Sequence, residues 1–99
     1  MANSVIPSPK SYQIIQGTAT LPEFSSLQGN DVTFALNSAF ASDVNTALIF
    51  PLIYGSTTIF PITVKSVSGN TASVRMFNIA NSTIPAGVNS TIQLIGFKY

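Results

Sequence analysis

The stretch FPITVKSVSGNTASVRMFN, Phe60 to Asn78, decides the fold class. Phe60, Ile62 and Val64 alternate with Thr63 and Lys65, and Ala72, Val74 and Met76 alternate with Ser73 and Arg75. That two-residue period is the mark of a strand with one buried face. Between the two runs, Gly69 beside Asn70 is free to take the positive φ of a tight turn, so SVSGNTASV reads as a hairpin.

The same period recurs upstream in DVTFAL, where Val32, Phe34 and Leu36 alternate with Thr33 and Ala35. Gly29 and Gly55, each beside Asn or Ser, are expected to supply positive φ in further turns. No segment holds an apolar stripe at helical spacing, and β-branched residues dominate the periodic stretches. An all-β chain is expected, with strands near Tyr12–Thr20, Asp31–Leu36, Thr46–Tyr54, Ile59–Val67, Thr71–Ile79 and Thr91–Tyr99. Six short strands in a chain of 99 residues suggest one small antiparallel β-sandwich. An extended N-terminal arm over residues 1–16 is expected to precede a sandwich domain over residues 17–99. Pro7 and Pro9 keep that arm extended, leaving Val5 and Ile6 as an apolar anchor for a partner.

Two strands break the alternation. ALIFPLIY is apolar at nearly every position from Ala47 to Tyr54, and in IQLIGF Ile92 and Leu94 lie on one face with Ile95 and Phe97 on the other. One face of such a strand fills the core and the other needs cover. Either a second copy of the chain supplies it, or the N-terminal arm does. Composition favours the second copy: hydrophobic residues make up 45%, charged residues 7%, and the net charge is +1, so little repels a like surface.

Several function classes have little to stand on. Lys10, Lys65, Arg75 and Lys98 are scattered and form no phosphate-binding cluster, so no nucleic-acid partner is expected. The chain has no cysteine and no histidine, and its acids, Glu23, Asp31 and Asp43, are not spaced as a pair, so neither an enzyme nor a cofactor or metal site is expected. The longest apolar run is too short for a membrane helix, and the first residues lack the pattern of a secretory signal. The strings NST at Asn81 and Asn89 match the glycosylation acceptor pattern and are read as turn residues.

From Asp31 onward the order VTFALNSAF, ALIFPLIY, FPITVKSVSGNTASVRMFN and TIQLIGFKY resembles the H-type lectin domain and related domains at the tips of phage tail fibres. The resemblance spans Gly17 to Tyr99. It implies a homotrimer with the last strand near the three-fold axis, so that Ile92, Leu94, Ile95, Phe97 and Tyr99 form the subunit interface. It also implies a glycan site between subunits, where Phe77 and Asn78 stand in the place of the family's aromatic-His pair and Lys65 lies near the place of its Arg. All three differ from the family type. Arg75 shares a strand face with Phe77, and Tyr54 and Asn81 are secondary candidates. The plainer expectation is that Phe77 packs a subunit contact, Asn78 starts the NIANST turn and Arg75 is a surface charge facing Asp43 or Glu23. The function expected is that of a small virion structural protein, a capsid decoration, head-fibre or tail-fibre tip that meets other virion proteins through the arm. The alternative is an adhesin for host glycans.

Overall fold

The computed structural model describes residues 11–54 and 58–98. It contains six strands: β1 (Ser11–Thr20), β2 (Gly29–Leu36), β3 (Val44–Tyr54), β4 (Ile59–Ser68), β5 (Thr71–Asn78) and β6 (Asn89–Lys98). All pairings are antiparallel, in one sheet of order β3-β6-β1-β2-β5-β4. The outermost strands, β3 and β4, lie against each other, so the sheet curls nearly into a barrel.

The sheet is uneven along its width. β1 pairs with β6 from Ser11↔Lys98 to Thr20↔Asn89, but with β2 only through Gly17↔Leu36 and Thr18↔Ala35. The narrow junction depends on Gly17, where a Cβ would lie 2.9 Å from Leu36 Cδ2 and 3.3 Å from the Ala35 carbonyl. It divides the sheet into two three-stranded halves, β3-β6-β1 and β2-β5-β4. Ser11–Gln16, assigned to the arm from sequence, belong to β1, because Ile15 packs in the core and each residue finds a partner on β6. Residues 1–10 lie outside the described residues.

The core lines the concave side. Val32, Phe34 and Leu36 of β2, Ala72, Val74 and Met76 of β5, and Ile92 and Leu94 of β6 all point into it, as alternation requires. Leu21 and Phe24, between β1 and β2, plug one end. They are held by backbone bonds to the β5–β6 connection: Leu21 N–H donates to the Val88 carbonyl at 2.7 Å, and Phe24 and Ile84 exchange bonds at 2.9 and 2.8 Å. Fully burying a side chain of this size stabilises by ~1.5–3 kcal/mol, so the plug matters to the fold.

The hairpin forms as expected. Ser68 pairs with Thr71 around Gly69 at φ 57°, and Thr71 Oγ1 donates to the Ser68 carbonyl at 2.9 Å. The other turn glycines differ from expectation. Gly29 opens β2 without positive φ; Leu27 at φ 54° and Gly87 at φ 105° take that role instead. Gly55 lies outside the described residues. β4 also departs from simple alternation, because bulges between Pro61 and Thr63 and between Val64 and Ser66 shift its register. Ile59 is buried while Phe60 and Ile62 are exposed, so two residues expected in the core face outward.

Candidate assembly face and polar clusters

The convex side carries two apolar areas. On β3-β6-β1, Phe50, Ile95 and Ile14 form one row across three strands, and Phe97 and Tyr12 form the next. The Phe50 and Phe97 rings meet at a centroid distance of 6.4 Å, tilted by 55°. On the other side of the β3–β4 seam, Phe60 and Phe77 pair in one row, opposite Gly29, and Ile62 bulges out beside them. Phe50, Leu52, Phe60 and Ile62 are 46%, 45%, 40% and 58% exposed, unusual for large apolar side chains on adjoining strands.

The interface expected on β6 is corrected by this geometry. Ile92 and Leu94 are fully buried in the core of the subunit itself and have no surface to offer a second copy. Ile95 and Phe97, of opposite parity, lie half-buried on the convex side. The Tyr54 side chain and Tyr99 lie outside the described residues.

Both edge strands are poor templates for ladder pairing. β3 contains Pro51 and register shifts between Val44 and Ile49 and between Pro51 and Ile53; β4 contains Pro61 and its two bulges. Proline withholds a donor and a bulge breaks the row of backbone groups, so contacts here must be made by side chains.

The residues expected to bind glycan separate into two environments. Asn78 is fully buried. Its Nδ2 donates to the carbonyls of Ser25 at 3.1 Å, Ser82 at 3.0 Å and Phe24 at 3.5 Å, and its Oδ1 accepts from Ala80 N–H at 2.9 Å. It joins the end of β5 to the segment after β1 and offers a ligand no free polar atom. This corrects its assignment as a sugar contact and agrees with the turn-forming alternative. Phe77, Arg75 and Lys65 stay on the convex side. Asp31 on β2 binds both cations, to Lys65 Nζ at 2.8 Å and to Arg75 Nε at 2.7 Å. Arg75 therefore faces Asp31 rather than Asp43 or Glu23. The hydrogen bond from Lys65 holds the Asp31 carboxyl below its ordinary pKa of 3.8, and the nearby Arg75 charge acts in the same direction.

A shallow polar depression crosses the far end of β1 and β6, lined by Thr18, Thr20, Asn89 and Thr91 among others. Thr20 Oγ1 donates to Asn89 Oδ1 at 3.1 Å. Asn81, a secondary candidate, is exposed and accepts a bond from Ser26 Oγ at 3.4 Å.

No family model matches this chain, and no curated protein or solved structure does either. Among the described residues no three His, Cys, Asp or Glu side chains gather as a metal site. The features left are the apolar areas of the convex side, an ion cluster of one carboxylate and two cations beside them, and a polar shelf. The sequence reading expected a second apolar face on the run ALIFPLIY, which holds Phe50 and Leu52, but it put Phe60 and Ile62 in the core and passed over Tyr12 and Ile14.

Proposed function

We propose that this chain is a non-enzymatic structural protein whose copies associate through the convex apolar face, forming a homotrimer. The observation that carries the reading is the exposure of Phe50, Leu52, Phe60 and Ile62 on adjoining strands of a chain with a net charge of only +1. Desolvating such a face is favourable at about 25 cal/mol per Å² of apolar area, and few charges oppose the approach of a like surface. The two halves of the sheet serve as the layers of a flattened sandwich. The setting proposed is a virion, where a small trimer of this kind decorates a capsid or tips a head or tail fibre; the resemblance of its motif order to that of tail-fibre tip domains supports it.

Light scattering of the purified chain tests the core of the reading. The expected mass is three times the 10.5 kDa of one chain. A monomer at micromolar concentration sinks the proposal. Immunogold labelling of particles from the producing cells tests the setting, with label expected on the particle surface.

The adhesin alternative retains Phe77 beside Arg75 and Lys65, an aromatic platform next to hydrogen-bond donors. It loses Asn78 to the interior and finds both cations already bound to Asp31. Assembly is the better supported of the two.

A further inference from the structure

We infer that the edge of β1 from Ser11 to Ile15 receives the same edge of a second copy, the two strands running antiparallel about Gln13. Backbones make this contact in the plane of the sheet. It is therefore separate from the convex face proposed for the trimer, and holds with or without it.

The edge is open because β1 meets β2 only at Gly17 and Thr18. Gln16 marks where it ends: its carbonyl accepts from Asn37 N–H at 2.8 Å, so the Gln16 backbone groups point away from β6. Backbone groups alternate along a strand, so those of Ile14 and Tyr12 point the same way, while Gln13 and Ile15 turn to β6. No described strand lies on that side of Ile14 or Tyr12. Exposure agrees: Ile14 is 45% and Tyr12 62% exposed, whereas Ile95 and Phe97, beside them on β6, are half-buried.

The other open edges are blunted and this one is not. β3 and β4 carry Pro51, Pro61 and their bulges. Next to and within β2, the Gln28 carbonyl and Leu36 N–H bond to Asn78 and Asn70, which turns the Asp31 N–H to the open side. That N–H is already bonded to Asn30 Oδ1 at 2.9 Å, and the Asp31 carboxylate with Lys65 and Arg75 puts charge beside it. SYQIIQ has no proline and no charge, and its ladder with β6 is regular from Ser11↔Lys98 to Thr20↔Asn89. A bare, regular edge is a template for another strand.

A second copy suits this template. Antiparallel pairing about Gln13 sets Tyr12 opposite Ile14 of the second copy and Ile14 opposite Tyr12 of the second copy, so their outward N–H and carbonyl groups are all satisfied. On the convex side an aromatic ring then faces a β-branched side chain, a favourable cross-strand pair. The apolar row Phe50, Ile95, Ile14 runs on into Tyr12 and Phe97 of the second copy. With no charge on the strand, nothing repels its like.

Light scattering and residue-by-residue amide exchange test this on wild type, Tyr12→Pro and Tyr12→Val. Proline at an outward N–H costs no bond to β6 but withholds the donor; valine removes the same ring and keeps the donor. As wild type or Tyr12→Val is concentrated from micromolar to millimolar, the mass is expected to double while the amides at positions 12 and 14 slow by at least ~10-fold. Tyr12→Pro is expected to keep its mass and a fast Ile14 amide. The doubling starts from a trimer where the proposed function holds and from a monomer where it fails, so the two failures are told apart. Amides at 12 and 14 that stay fast at constant mass overturn the inference and leave the edge bare. Amides slow at every concentration also overturn it, and their release on removing residues 1–10 would show the chain's own N-terminal segment in the place of the second copy. Doubling of Tyr12→Pro alongside Tyr12→Val overturns it by putting the contact elsewhere. If Tyr12→Pro does not fold, Ile14→Pro against Ile14→Val puts the same question to the next outward N–H.

Discussion

The Asn78 side-chain amide donates to the Ser25 carbonyl at 3.1 Å, joining the last residue of β5 to the connection between β1 and β2. With the bonds to Ser82 and Ala80 it holds two long connections together over the Phe24 plug.

Asn78→Ala removes the donor from those carbonyls and the acceptor from Ala80 N–H, all at a buried site. Each buried polar group left unpaired costs ~1–3 kcal/mol, so the variant should lose about 2–4 kcal/mol in urea unfolding. A sugar contact would behave oppositely, leaving stability unchanged.

Gly96→Ala tests the packing beneath β3. A Cβ there would stand 2.7 Å from Val44 Cγ1 and 2.9 Å from the Phe40 ring. Overpacking of this kind costs ~1–3 kcal/mol. Adding Val44→Ala to the same chain should restore part of the loss by making room, a coupling that a thermal-unfolding double-mutant cycle reads directly.

Leu27 holds a left-handed φ of 54° with its side chain half exposed. The left-handed region costs a non-glycine residue ~1–2 kcal/mol, and Asn tolerates it better. Leu27→Asn should therefore raise unfolding stability by about 0.5–1 kcal/mol. A fall in the melting temperature would mean that the leucine packs more productively than its exposure indicates.

Asp31 sets an acid limb. Its folded pKa is depressed below 3.8 by Lys65 and Arg75, so the stabilisation is fully present above that value and is lost as pH falls through the lower folded pKa. Melting temperatures of wild type and Asp31→Asn should differ most at neutral pH and low salt, and converge as pH falls below 3.8 and through the lower folded pKa. A difference that persists at about pH 2 would show that the residue acts by something other than its charge.

Much of the fold was legible because alternation survives wherever the ladder is regular. β2 and β5 keep one parity from end to end, and their core residues follow from it. The same rule applied two residues further puts Asn78 in register with Ala72, Val74 and Met76, on the buried side; periodicity alone places it there, but a polar amide suggested a surface. β4 was misread on its apolar face because each bulge moves the following residues to the other side, and no periodic rule marks where a bulge falls, although Pro61 stands at one. Leu21 and Phe24 escaped notice for a different reason. They lie among turn-forming residues, with no repeating pattern to set their direction, and their burial comes from pairing with a connection far along the chain, at Ile84 and Val88.

The place of β6 has a consequence for how the molecule is made. It is the middle strand of its half of the sheet, flanked by β3 on one edge and β1 on the other. Neither neighbour has another hydrogen-bonding partner over most of its length until β6 arrives, and β6 is the last of the six strands to leave the ribosome. A nascent chain can close the β4–β5 hairpin and lay β2 beside it while synthesis continues. The other half waits with Ile15 and Ile49 uncovered, so the chain commits to its native form only after its final strand has emerged, by contacts that span nearly its whole length and close slowly.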